Sequence, residues 1–149
     1  MPNKPIRFST NWNNKLLCEV FTTFRLENPT KYVVGQCYPV LLGKITLGTA
    51  ELIKCTTYAY PLDRSKTYTV INGRKLSLLT ENHALIDTGK SLAYLLRLFN
   101  NFYPHANWNT QPITWYFFKY TETTKERALL IANTKKMRFM QPDLFSVGY

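Results

Sequence analysis

The sequence predicts an α+β domain in which a small, curved, mostly antiparallel sheet is flanked by two or three helices. Three observations carry that prediction. The chain has 149 residues, 45% of them apolar or aromatic and 19% charged, which suits a single core spanning 1–149. Aromatic residues make up 15% of it and gather beside β-branched neighbours in short runs, a strand composition. Between those runs, apolar residues recur at the three-and-four spacing of helices with one buried face.

Taken in order, Phe21–Leu26 (FTTFRL) is the first strand, stopped by the turn-rich Glu27-Asn28-Pro29-Thr30. Gln36–Leu42, Lys44–Leu52 and Ile53–Tyr60 read as three further strands, with Gly43 in a tight turn and Gly48 at a bulge or sharp bend. Pro61–Gly73 is polar, with turn signals at Leu62-Asp63 and Asn72-Gly73, and reads as a loop or an excursion hairpin. Thr80 caps a short helix ending at about Asp87. Leu92, Leu95, Leu96, Phe99 and Phe102 form the apolar stripe of a second helix that Tyr103-Pro104 ends. Ile113–Tyr120 (ITWYFFKY) is the most strand-like run. Thr121–Asn133 reads as a further helix with Thr123 or Thr124 near its cap, followed by the basic and aromatic tail Lys135-Lys136-Met137-Arg138-Phe139-Met140.

Nineteen Lys and Arg against nine Asp and Glu give a formal net charge of +10, which favours a polyanionic partner such as nucleic acid or anionic lipid. The bland alternative is a basic surface with no dedicated partner. No stretch approaches the roughly 20 apolar residues of a membrane span, and MPNKPIRFSTNW has no apolar signal core, so a cytoplasmic protein is expected. Cys18, Cys37 and Cys55 form no CxxC pair and read as free thiols, and His83 and His105 have no ligand spacing. Neither a metal nor a cofactor is expected.

The order of FTTFR (21–25), GQCY (35–38), LTENHA (79–84) and the helix closing on NFYP (101–104) resembles the ASCH domains of the PUA-like superfamily over about residues 8–120. Within it, LTENHA and the FYP ending are most similar to small amidohydrolases that deacetylate N4-acetylcytidine. The resemblance implies a PUA-like curved barrel of five or six strands with two to four flanking helices, and a cleft that receives a nucleobase, nucleoside or RNA. It also implies a catalytic lysine, threonine and carboxylate. The threonine falls on Thr23 and the motif's arginine on Arg25, while the carboxylate falls on or near Asp87. The lysine position is taken by Val20, whose side chain can neither activate a nucleophile nor stabilise an oxyanion. Lys15, upstream, would have to reach back into the cleft to replace it.

Thr23 and Arg25 share one strand face and Thr22 the other. They either line the cleft or form an ordinary surface pair. Asp87 is either a cleft carboxylate or a solvated helix end, and Thr88-Gly89-Lys90-Ser91 lacks the upstream glycine of a phosphate loop and reads as a turn. Trp108 is a candidate for base stacking or a loop anchor on the rim. Lys135, Lys136 and Arg138, beside Phe139 and Met140, suit a groove that tracks phosphates while stacking bases. Their alternative is a solvated helix face followed by a strand packing Met137, Phe139 and Leu144.

The function these readings favour is a non-catalytic module that binds RNA, in preference to DNA, or a modified nucleotide through Thr23, Arg25, Asp87 and nearby basic side chains. The alternative is an amidohydrolase acting on N4-acetylcytidine or a related acylated nucleoside with Thr23, Asp87 and Lys15. A third reading is a protein-binding module that targets a nucleic-acid enzyme.

Overall fold

Aromatic and β-branched runs leave one strand face apolar, and burying that face curls the sheet around its own interior. The computed structural model describes residues 4–140, with side chains through residue 134. Its strands are β1 (Ile6–Phe8), β2 (Val20–Leu26), β3 (Cys37–Leu42), β4 (Ile45–Tyr58), β5 (Tyr68–Ile71), β6 (Arg74–Ser77) and β7 (Ile113–Thr123). A 3₁₀ segment, Trp12–Leu17, precedes β2, and the helices are α1 (Glu81–Thr88), α2 (Leu92–Phe102) and α3 (Lys125–Met140).

Five strands form one mixed sheet in the order β1-β3-β4-β7-β2. β1 runs parallel to β3, and every other neighbour is antiparallel. β1 and β2 are the two edges, and the curl brings them together without a ladder between them. Phe8 of β1 meets Phe21 of β2 edge to face at 5.9 Å, and the Arg25 guanidinium donates to the Arg7 carbonyl at 2.8 Å. The result is a half-barrel with an open seam.

The strands expected at Lys44–Leu52 and Ile53–Tyr60 are one long strand, β4. The register against β7 shifts between Leu52 and Lys54, leaving Ile53 unpaired and 41% exposed. That bulge broke the alternation and made one bent strand read as two. Gly48 marks another irregularity, and a Cβ there would collide with the Glu122 carbonyl oxygen of β7. The excursion at Pro61–Gly73 is a hairpin: β5 and β6 pair around Asn72-Gly73, both at positive φ. β1 was not anticipated. Three residues are too few to display alternation, and its pairing partner β3 lies far away in the chain.

The sheet's two faces hold two cores. Inside the curl, Phe21, Tyr38, Val40, Leu52, Tyr116 and Phe118 pack with Ile6, Leu16 and Tyr32. On the other face, Phe24, Ile113 and Trp115 pack beneath Leu92, Leu95, Leu96 and Phe99 of α2 and Ala84 of α1. Among the described residues, no helix is long and apolar enough to cross a membrane.

Candidate functional site

β2 is a free edge, so residues from both of its faces reach the seam. There Thr23, Phe24 and Arg25 border a cavity of about 250 Å³, with Arg7, Phe8 and Ser9 of the β1 region opposite them. Trp12 and Lys15 come from the 3₁₀ segment, Asp87 and Thr88 from the end of α1, and Leu95, Phe99, Phe102 and Tyr103 from the α2 side.

At the floor is a buried charge pair. The Lys15 ammonium donates to Asp87 Oδ1 at 3.0 Å, and the Thr22 hydroxyl donates to the same oxygen at 2.7 Å. Lys15 and Asp87 are 7% and 3% exposed. Burial pushes the Lys15 ammonium below its usual range, Asp87 opposes that shift, and the nearby Arg25 charge adds to it. Desolvating two charges is costly unless their geometry and hydrogen bonds compensate, so a buried pair at a cavity wall is a poor stabiliser and a good candidate for function.

Lys15 is delivered by an irregular backbone. Asn13 and Asn14 sit in the left-handed region at φ 56° and 52°, which asparagine tolerates better than most residues. The Leu16 amide is held by Asn11 Oδ1 at 2.9 Å. Gly89 caps α1 at φ 72° with the Asn13 side chain close against it, where a Cβ would stand 3.1 Å from Asn13 Cγ. From the far side, the Arg127 guanidinium of α3 donates to the carbonyls of Leu16, Leu17 and Cys18 at 3.3, 2.9 and 3.2 Å, and lies over the Tyr120 ring at 4.4 Å. The Tyr120 hydroxyl adds a 2.8 Å bond to Leu16 O, and burial pushes its own pKa up to about 12.

Arg25 is equally fixed. Its Nε donates to Thr23 Oγ1 at 3.1 Å, its Nη2 to Arg7 O, and its guanidinium lies 5.0 Å from the Phe8 ring centroid. Thr23 therefore holds Arg25. Neither Lys15 nor Asp87 is hydrogen-bonded to Thr23; the hydroxyl that meets the carboxylate is that of Thr22, on the other strand face.

Of the residues singled out in the sequence, the fold brings Lys15, Thr23, Arg25 and Asp87 together at the cavity. Val20 is 43% exposed at the start of β2 and does not border the cavity, whereas Lys15 does. Trp108 goes elsewhere. It is 9% exposed, stacked on Tyr60 at 4.6 Å, and bonded through Nε1 to Asn100 Oδ1 at 3.0 Å, so it anchors its loop with no face free for a base. Phe102, expected in the buried stripe of α2, is instead 60% exposed and borders the cavity. The helix ends there, with Tyr103 as its C-cap. Thr88-Gly89-Lys90-Ser91 is the expected turn, with Ser91 capping α2. Lys135, Lys136 and Arg138 belong to the last turns of α3, but their side chains lie outside the described residues, as do Leu144 and the rest of 141–149. Among the described residues, no cluster of His, Cys, Asp and Glu could hold a metal ion.

The sequence reading missed Thr22, Arg7 and Phe8. Thr22 differs from Thr23 only by facing α1, and Arg7 and Phe8 lie on the unforeseen β1. Comparison with protein-family models, curated proteins and solved structures returned no match.

Proposed function

We propose that the seam cavity reads a nucleobase, and that the protein is a binding module for RNA or a modified nucleotide. The observation that carries this is the pairing of the exposed Phe102 ring with the Lys15–Asp87 pair in one cavity of about 250 Å³. A base has a π-face and an edge of hydrogen-bond donors and acceptors; an exposed aromatic beside groups that donate and accept suits both. The volume lies at the small end for ligand sites, which fits a base or nucleoside. The ASCH-like order of motifs and the +10 charge point the same way.

A fluorescence titration with single-stranded RNA and DNA over a salt series tests it. The expected result is saturable binding to RNA, weakening as salt rises, and reduced by about tenfold or more in Phe102→Ala, since one base–aromatic stack is worth about 1–3 kcal/mol. No affinity, or an affinity without a salt slope, overturns it.

A second reading is favoured by the position of Lys15, which restores a lysine to the cavity. In an amidohydrolase acting on an acylated cytidine, that ammonium would stabilise the developing oxyanion and Asp87 would handle the proton. It ranks second because Thr23, the family-like nucleophile position, is bonded to Arg25 and to neither Lys15 nor Asp87. Release of cytidine from N4-acetylcytidine, abolished in Lys15→Met, would establish it.

A further inference from the structure

Where the cavity opens along the seam, cations gather without counter-charges. Arg7 and Arg25 border the cavity itself. Lys31, outside the cavity lining, has its ammonium held below the usual range by partial burial and then by the charges of Arg25 and Lys4. Lys31 is also 5.3 Å from the centroid of the Tyr32 ring, which packs into the inner core. Among the described residues, the ion pairs are Lys15–Asp87, Arg74–Glu27 and Lys119–Glu19, so no carboxylate pairs with Lys4, Arg7, Arg25 or Lys31.

Uncompensated like charges at one spot destabilise the free protein, and an anion arriving there relieves them. Arg25 is the ordered member. Its bonds to Thr23 and Arg7 O engage two of five N–H donors, and Phe8 supports its face, so the remaining donors are held with little freedom to lose on binding. A planar guanidinium fixed in this way suits the paired oxygens of a phosphate.

We propose that Arg7 and Arg25 form a phosphate subsite where they border the cavity, so that the ligand is a phosphate ester of a nucleoside and not the free nucleoside. The assignment rests on the base-reading function above and specifies its substrate class. Lys15 is excluded from this subsite because Asp87 already neutralises it on the floor. The phosphate has two sources with the same chemistry: the terminal group of a mononucleotide or the internucleotide link of RNA.

Calorimetric titration with the four common nucleosides, their 5′- and 3′-monophosphates and the matching dinucleotides tests this. The expected result is that a nucleotide binds at least about tenfold tighter than its nucleoside at low salt, as one charge-assisted contact provides. That advantage should shrink with added salt. It should collapse in R7Q and persist in K75Q, which removes a charge from the separate β5–β6 hairpin, none of whose residues lines the cavity. A preference for the dinucleotide over both monophosphates assigns the subsite to RNA backbone, and the reverse assigns it to a terminal phosphate. Nucleosides and nucleotides binding alike would overturn the phosphate subsite and leave base reading intact. An advantage unchanged in R7Q would overturn the residue assignment. Failure of every nucleoside and nucleotide to bind would overturn base reading, and this subsite with it.

Discussion

The closed wall of the half-barrel and its open seam are made from the same sheet and held by different forces. Through β3, β4 and β7 the strands are joined by ladders interrupted only at bulges, and the inner residues are aromatic or aliphatic, with Phe21 stacked on Phe118 at 5.5 Å between ring centroids. At the seam the ladder is missing, and side chains bridge the gap: Arg25 reaches to the β1 backbone and Lys15 to Asp87. An unpaired sheet edge leaves backbone groups and a groove that must be covered, charged or used. Here the edge strand β2 carries the Arg25 guanidinium and, through Thr22, a bond to the buried Lys15–Asp87 pair. The wall is thus held by ladders and packed apolar side chains, and the seam by polar side-chain contacts.

Three perturbations sharpen that contrast. The largest effect belongs to the wall. Phe118 is fully buried, and Phe118→Ala should cost about 3–5 kcal/mol in chemical denaturation, by transfer and cavity formation together. A loss below about 1 kcal/mol would mean that the inner core is not tightly packed.

Next comes the seam. Asp87→Asn keeps an acceptor for Thr22 but removes the counter-charge of Lys15, and should cost about 3 kcal/mol. Adding Lys15→Met should recover most of that loss, because it removes the unpaired ammonium. A double variant no more stable than the single one would show that the pair is not desolvated.

The smallest effect is a pH dependence at α1, whose first turn is capped by Thr80 and His83. The Thr80 amide donates to His83 Nδ1 at 3.1 Å, which only a neutral ring nitrogen can accept, and burial against Tyr58 and Trp115 lowers the His83 pKa. The folded state therefore binds the proton less readily than the unfolded one, whose histidine titrates near about 6.5. The stabilisation is complete above that value and is lost as pH falls through the lower folded pKa. Denaturation midpoints measured from pH 7 down to 5 should decline more in the native protein than in His83→Gln.

Much of the fold was legible because it is written locally. The α2 stripe, the Thr80 cap, the Asn72-Gly73 turn and the aromatic alternation of β7 each depend on residues a few positions apart, and each lies where the sequence places it. Legibility failed where a residue's role depends on a distant partner. β1 exists through its pairing with β3, and β4 is one strand because β7 runs unbroken beside it.

The site divides in the same way. The residue types were visible as a hydroxyl, guanidinium and carboxylate near short motifs, and Lys15 was legible only as a lysine that would have to reach back to join them. Whether Lys15 reaches Asp87 depends on a 3₁₀ segment bent at Asn13 and Asn14, seated against Gly89, and clamped by Arg127 from a helix more than a hundred residues away in the chain. Trp108 took the loop-anchor alternative, and Phe102 left its expected stripe: helix periodicity gives a direction around an axis, but tertiary packing decides whether an aromatic at a helix end is covered. Composition, charge and local periodicity were thus set by the sequence itself. The seam, and the side chains that meet across it, were decided by tertiary structure, because the curl of a sheet is summed over all its strands and no single segment encodes it.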